Sequence, residues 1–187
     1  YKEDKRDNKI IHESFLNQIK CIIEFVDFIY LDVISSGREI AIATEIIEKF
    51  NKSILVGVHI SKNGKLPSGE NIEQVINKYK SSNWIGIISS CVSIEIAEKL
   101  INELKISNLP FGFKVNLWAV EEPTPVQTFN RAKHNEIGTN PNVALGKRTD
   151  VSDKNFYNFS KKLVEKGATI LGGCCEITPK HIKAISQ

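Results

Sequence analysis

Short apolar runs alternate with stretches of helical periodicity along this chain of 187 residues. The apolar runs are continuous and do not alternate with polar residues, which is typical of strands buried on both faces of a parallel sheet. Neighbouring parallel strands need a crossover connection, and that connection is usually an α-helix. The sequence therefore predicts a series of βα units.

The predicted elements are one helix followed by five strand–helix pairs. Strands are assigned to the apolar runs, and helices to the stretches in which apolar residues recur with helical spacing. The predicted strands are residues 28–31, 54–58, 84–88, 111–117 and 168–171. The predicted helices are residues 8–25, 36–50, a segment capped by Ser68 that runs through Ile76, 94–104, 153–166 and 179–185, with a left-handed Gly167 and a long loop at 119–149.

This order favours an α/β fold of the (β/α)8 TIM barrel class. The Gly-x-Gly-x-x-Gly and P-loop patterns are both absent from the sequence, which disfavours a nucleotide-binding doubly wound sheet. A complete barrel needs eight units and about 250 residues. We therefore expect about five of the eight units in this chain.

Three possibilities for the remaining units stay open. The chain begins with Tyr1 and contains no methionine, so we expect a trimmed N-terminus or a piece of a longer protein. The other units would then lie upstream, or a second chain would complete the barrel, or the chain would be a non-catalytic remnant. An open set of parallel strands would expose its edges.

Composition narrows the possible partners and the compartment. The net charge is +3, and no basic run is interleaved with aromatic residues, so we expect no nucleic-acid partner. The apolar runs are too short to span a membrane, and we find no signal-peptide pattern. We therefore expect a cytoplasmic protein whose four cysteines stay reduced and serve as metal ligands, nucleophiles or core residues.

Polar and thiol side chains gather at the predicted C-terminal ends of the strands. In a (β/α)8 barrel this end carries the active site, so we expect these side chains to converge there. They are Asp32, Cys91, Asn116, Cys174 and Cys175.

The three thiols predict a metal site. Zn²⁺ suits sulfur ligands in tetrahedral geometry, and three protein ligands leave the fourth position open, as in catalytic zinc sites. Adjacent Cys174 and Cys175 can both bind one ion if the backbone bends, and Gly172 and Gly173 would give that freedom. With Cys91 they form the predicted ligand set.

Structural or redox roles are the alternatives for these residues. A buried cysteine is often only a packing residue, and Asp32 could equally cap the following helix. The adjacent thiols could serve redox chemistry, although they lack the usual C-x-x-C spacing. We expect Cys21, on a helix, and the four histidines to lie outside the metal site; the histidines are His12, His59, His134 and His181.

Five segments resemble the homocysteine S-methyltransferase family. The strongest is the C-terminal "GATILGGCCEITPKHIKAI", in combination with the upstream cysteine of "WIGIISSCVSIEIAEKL". The others are "VDFIYLDVISSGREIAIA", "ILVGVHISKNGKLPSGENIEQVI" and "LGKRTDVSDKNFYNFSKKLVEKGA". Together they cover essentially the whole chain.

This resemblance implies a zinc-dependent barrel that methylates the thiol of homocysteine to give methionine. It makes residues 1–187 an N-terminally incomplete homocysteine-binding domain that holds about the last five units. The methyl donor would be a sulfonium compound such as S-methylmethionine, with betaine and methylfolate as donors in related branches. Both substrates are therefore small molecules.

The resemblance also implies residue roles. The zinc ligands fall on Cys91, Cys174 and Cys175. The acid that holds the ammonium group of the amino acid falls on Asp32, and an asparagine at the end of the seventh strand falls on Asn116. Asp32 replaces a longer glutamate of the family, while Ser90 replaces an asparagine and Ser35 a proline.

Overall fold

Five parallel strands form one sheet, and their order in the sheet is their order in the chain. The computed structural model describes residues 1–119 and 145–186. The strands are β1 (Phe28–Ile34), β2 (Ser53–Val58), β3 (Trp84–Val92), β4 (Phe111–Val115) and β5 (Ile170–Gly173).

Helices precede β1 and follow each strand in the described part of the chain. Two short 3₁₀ turns, Ile23–Phe25 and Lys105–Ser107, directly follow the first and the fourth helix of the chain. The helices are α1 (Asn8–Ile22), α2 (Gly37–Glu48), α3 (Ile72–Tyr79), α4 (Ile94–Leu104), α5 (Asp153–Glu165) and α6 (Pro179–Ile185).

The strand order confirms the predicted fold class. A doubly wound sheet reverses its strand order at a switch point, whereas this sheet runs from β1 to β5 without a reversal. Consecutive parallel strands joined by helices are the arrangement found in part of a (β/α)8 barrel.

Several predicted boundaries are wrong because backbone pairing continues past the apolar runs. β1 extends to Ile34, so Asp32 lies inside the strand. β3 extends to Val92 and contains Cys91. β5 includes both glycines of the Gly-Gly-Cys-Cys sequence and ends at Gly173. The apolar runs therefore end before the hydrogen-bonded ladder does.

Helix α3 is capped by Asn71 and not by the predicted Ser68. The Asn71 side chain accepts from the Gln74 N–H at 2.8 Å, and the Gln74 side chain accepts from the Asn71 N–H at 2.9 Å. Ser68 instead donates to Glu70, which also accepts from the Gly37 N–H at 2.8 Å. The Glu70 carboxylate thus lies at the N-terminus of α2, where the helix dipole favours negative charge.

Other predictions concern chain ends and loops. Gly167 has a φ of +101° after α5, as predicted for a left-handed residue. Of the predicted loop at 119–149, residues 120–144 lie outside the described residues. In the described part, Trp118 forms an isolated antiparallel bridge with Lys147. Among the described helices, none is long and apolar enough to cross a membrane.

Replacing Phe113 by alanine should lower the free energy of unfolding by about 3–5 kcal/mol. Its ring is fully buried in the sheet, 4.9 Å from the ring of Phe159. Phe25→Ala is the control, since Phe25 is 83% exposed and its loss should change stability by no more than about 0.5 kcal/mol. Urea unfolding measures both variants, and equal losses would contradict the assignment of Phe113 to the core.

Candidate metal centre

Three cysteine thiols converge at the C-terminal ends of β3 and β5. The Sγ of Cys174 lies 3.2 Å from that of Cys91 and 3.7 Å from that of Cys175. The remaining pair, Cys91 and Cys175, is 4.0 Å apart. Within residues 1–119 and 145–186, this is the only group of three or more potential ligands close enough to share an ion.

The spacing of the sulfurs fits a tetrahedral zinc ion. Ligands at a Zn–S distance of about 2.3 Å lie about 3.8 Å from one another at the corners of a tetrahedron. The three measured distances fall on either side of that value. All four cysteines of the chain are free thiols, and Cys21 is exposed on α1, away from the cluster.

Cys91 reaches the cluster through an unusual backbone conformation. It has a φ of +53°, in the left-handed region that residues with a Cβ seldom adopt. The register between β3 and β4 shifts between Ser90 and Val92, so Cys91 occupies a bulge. A bulge changes the direction in which a side chain points. The side chain of Cys91, in this bulge, is buried, with 1% of its surface exposed.

Asn116 fixes the bulge. Its Nδ2 donates to the carbonyl oxygen of Cys91 at 2.8 Å and lies 3.7 Å from the Cys91 Sγ. Its Oδ1 accepts from the Trp118 N–H at 3.2 Å. The structure thus places Asn116 beside the thiols, with its buried amide bonded to the protein.

The backbone around the Cys174–Cys175 pair is held by β4 and the segment after it. The Cys174 N–H donates to the carbonyl of Val115 at 2.7 Å, and the Leu117 N–H donates to the carbonyl of Cys175 at 3.0 Å. Gly173 is required for close packing, because a Cβ there would lie 2.2 Å from Ile177.

The expected reason for the glycine pair is therefore wrong. Neither Gly172 nor Gly173 adopts a positive φ; Glu176 does, at +64°. Gly173 allows the close approach of the Ile177 side chain, and neither glycine supplies a left-handed bend.

The three thiols differ in acidity. Cys174 is the first to ionise because its thiolate is stabilised by the hydrogen bond that it shares with Cys91, and the nearby Lys114 cation also helps to lower the pKa of Cys174 to about 6. The same hydrogen bond, together with burial, raises the pKa of Cys91. Burial and the negative charge on Cys174 raise the pKa of Cys175 to about 11.

Apolar side chains surround the thiols. Trp118 and Leu145 are buried against them, with Val33 and Tyr1 packed nearby. The hydroxyl of Tyr1 donates to the Cys91 Sγ at 3.2 Å, and burial raises the pKa of Tyr1, so the donor stays protonated. Low polarity around a charged site strengthens its electrostatic interactions.

A polar network lies beside the thiols at the same end of the sheet. Lys114 Nζ lies 2.5 Å from Asp32 Oδ2. The other carboxylate oxygen of Asp32 accepts from Tyr30 at 2.8 Å and from Ser90 at 2.5 Å. Burial opposes ionisation of Asp32, but these three donors outweigh it and lower the pKa of Asp32.

The network spans three strands because the middle strand has no side chain in the way. Tyr30 on β1 reaches across β2 to Ser90 on β3, with their oxygens 2.7 Å apart. A Cβ on Gly57 of β2 would lie 2.7 Å from the Tyr30 ring. Gly57 is therefore the position that lets Tyr30 cross.

Asp32 does not cap a helix. That role belongs to Ser36, whose hydroxyl accepts from the Glu39 N–H at 3.2 Å. Sequence reasoning missed Tyr30 and Lys114 as neighbours of Asp32. The available signal was spacing, because residues two apart in a strand share a face, and Lys114 precedes Asn116 by two positions.

The described histidines lie outside the thiol cluster. Burial lowers the pKa of His59 to about 4, and its ring packs 4.1 Å from that of Tyr1. His181 Nδ1 accepts from the Thr178 N–H at 3.0 Å, so it serves the start of α6. His12 lies on α1, and His134 lies outside the described residues.

A comparison with protein families identifies the chain. The model of the family described as homocysteine S-methyltransferase matches residues 1–187. The chain belongs to this family. The resemblance seen in the sequence motifs is thereby confirmed.

Relatives of this homocysteine S-methyltransferase family member are distant in sequence. Homocysteine S-methyltransferase 1 of Arabidopsis thaliana is 26% identical over 164 residues, or 86% of this chain and 45% of the relative. The S-methylmethionine–homocysteine S-methyltransferase of Pongo abelii is 21% identical over 184 residues, or 97% of this chain and 50% of the relative. The chain spans about half the length of these curated relatives.

A solved structure shares the fold. The crystal structure of the homocysteine methyltransferase MmuM from Escherichia coli, in its apo form, matches this chain with a TM-score of 0.64 at 14% identity. The match covers 94% of this chain and 57% of that protein.

In the metal-free family member, Cys174 should be the first of the three clustered thiols to react with iodoacetamide. Its rate should follow an apparent pKa near 6, below the value of about 8.5 for an ordinary thiol. Ionisation of Cys174 therefore favours the folded state above the unfolded pKa, and this contribution is lost as the pH falls through about 6.

Peptide mass spectrometry on a Cys21→Ala background identifies the alkylated residue at each pH. Lys114→Met is the informative control, because loss of the nearby cation should shift the Cys174 midpoint upward. Equal labelling of the three thiols at pH 7 would contradict the prediction.

Proposed function

We propose that this chain carries the zinc and homocysteine sites of an enzyme that methylates the homocysteine thiol to give methionine. The observation that carries the proposal is the cluster of Cys91, Cys174 and Cys175, whose sulfurs are spaced for one tetrahedral ion. Three protein ligands leave the fourth position for a substrate sulfur. Residues 1–187 would thus act as the homocysteine-binding domain.

Zinc bound to these three thiolates would lower the pKa of the substrate thiol and keep it in its nucleophilic form. The three thiolate charges outweigh the charge of the ion by about one unit, so electron density stays on the substrate sulfur. Asn116 would keep Cys91 in its bulge, because its amide bonds both the carbonyl and the Sγ of that residue. Trp118 and Leu145 would exclude water from the thiols.

The methyl donor in this proposal is a sulfonium compound. The homocysteine sulfur forms a bond to the methyl carbon while the donor's carbon–sulfur bond breaks, and the electron pair leaves with a neutral thioether. The homocysteine proton goes to solvent. The name of the Pongo abelii relative, S-methylmethionine–homocysteine S-methyltransferase, supports S-methylmethionine as the donor.

A second candidate is a non-catalytic zinc-binding piece of such a barrel. It is favoured by the length of the chain, which spans about half of its curated relatives. Such a piece would bind zinc, or assemble with the remaining βα units from the same polypeptide or from a partner chain, without turnover. Under either proposal the free thiols suit a reducing compartment such as the cytoplasm.

Purified, reduced protein should contain about one zinc per chain, measured by mass spectrometry of the metal. Cys91→Ser, Cys174→Ser and Cys175→Ser should each lose most of it, because two remaining thiolates hold the ion poorly. Cys21→Ser is the matched control and should keep its zinc, since Cys21 is exposed on α1. Loss of zinc in the control, or its absence from the wild type, would contradict the proposal.

The 187-residue chain by itself should show little or no methyl transfer, measured as methionine formed from homocysteine and S-methylmethionine. Donor and acceptor must be held in line, and an error of 1 Å can lower the rate about 100-fold. The described residues supply five of the eight strand ends of a barrel.

The same chain joined to the upstream βα units of a related protein should become active, and its Cys91→Ser variant should not. Full activity of the chain alone would contradict the need for the other units. Inactivity of a joined protein that is folded and zinc-loaded would favour the non-catalytic candidate.

A further inference from the structure

We infer that Lys114 binds the carboxylate of the thiol substrate's amino-acid end, beside Asp32, on which the acid that holds the ammonium group in the family falls. This inference rests on the proposed function and makes Lys114 a specificity-determining residue. The observation behind it is that the Asp32 carboxylate already bears an ammonium group from the protein itself.

Lys114 is placed to act on the same ligand as the thiols. It lies on β4, paired in register with Ser90 of β3 and Gly172 of β5. Ser90 directly precedes Cys91, and Gly172 lies two residues before Cys174. The cation therefore lies within electrostatic reach of both the carboxylate and the thiols.

The ion pair cannot accept a simple amine without loss. A ligand ammonium that took Asp32 alone would leave the Lys114 charge without its partner, and that side chain is only 20% exposed. An isolated charge at a partly buried site is costly. A ligand with only a carboxylate would pair with Lys114 and leave the Asp32 charge without its partner.

An α-amino acid satisfies both charges at once. Its ammonium nitrogen and its carboxylate oxygens are about 3 Å apart by standard bond lengths, and Lys114 Nζ lies 2.5 Å from Asp32 Oδ2. A small opening of this ion pair would admit the ligand's two charges in opposite orientation. One internal ion pair would then become two ion pairs with the substrate.

The surroundings allow this movement. The Asp32 side chain is 41% exposed and is anchored through its other oxygen by Tyr30 and Ser90. The stem of Lys114 is flexible, and a Cβ on its neighbour Gly172 would lie as far as 3.7 Å from the Lys114 Cγ. The ammonium of Lys114 lies 5.3 Å from the centre of the Tyr30 ring, so an aromatic face also stabilises it.

The test compares three thiols of equal chain length by calorimetry on the zinc-loaded, full polypeptide that contains this chain. Homocysteine carries both charges, 3-mercaptopropylamine lacks the carboxylate, and 4-mercaptobutyrate lacks the ammonium. Wild-type protein should bind homocysteine at least about 10-fold more tightly than either analogue, since each charged hydrogen bond is of that size.

Lys114→Met should weaken homocysteine binding about 10-fold or more, and it should leave the affinity for 3-mercaptopropylamine unchanged or higher. Asp32→Asn should show the opposite preference, with 4-mercaptobutyrate spared. Lys114→Arg should restore part of the homocysteine affinity. Lys162→Met removes another ion-paired lysine, the partner of Glu98, and should change none of these affinities.

The outcomes separate this inference from the function on which it rests. No binding of any thiol to zinc-loaded wild type would reject the proposed function. Tight binding of homocysteine that Lys114→Met leaves unchanged or strengthens would overturn the role of Lys114 alone. The role of Lys114 would also be overturned if Lys114→Met weakened the binding of 3-mercaptopropylamine and of homocysteine equally.

Discussion

The site depends on bringing thiols from β3 and β5 together across the strand between them. Adjacent strands lie about 4.8 Å apart, so β3 and β5 are separated by nearly twice that distance. The sulfurs nevertheless lie 3.2 to 4.0 Å from one another. The gap is closed from both sides, by the bulge at Cys91 and by the segment at Cys174–Cys175, which is bonded to the end of β4.

The sequence predicts that the thiols converge, but it does not predict the backbone conformation that brings them together. Parallel strands present their C-terminal ends on one side, so Cys91 and the Cys174–Cys175 pair can be assigned to one cluster from their positions alone. The positive φ of Cys91 cannot be predicted from the sequence, because the left-handed region is unusual for a residue with a Cβ. It becomes understandable only with Asn116 in place, since that amide bonds the Cys91 carbonyl from the next strand.

The polar network shows a second limit of sequence reasoning. In the sequence, Asp32 and Ser90 are two unrelated differences from the family pattern. Asp32 is one methylene shorter than the glutamate that it replaces, and Ser90 replaces an asparagine. In the structure these two side chains bond each other at 2.5 Å, and Tyr30 joins them by crossing Gly57. The contacts of Ser90 with Asp32 and with Tyr30 join residues on different strands, and no spacing within one strand predicts them.

β4 connects the two parts of the site. Gly112, Lys114 and Asn116 are two residues apart, which places them on one face at intervals of about 6.6 Å. Lys114 contacts Asp32, and Asn116 contacts Cys91.

The register of β4 therefore sets both contacts at once. Gly112 permits the close pairing of β4 with β5 in this register, because a Cβ there would lie 1.7 Å from the carbonyl oxygen of Ile170 on β5. A slip by one residue would turn Lys114 and Asn116 to the opposite face together. Both the Cys91 bulge and the Asp32 ion pair thus depend on β4, through Asn116 and Lys114, and a slip of that strand would disturb the two contacts together.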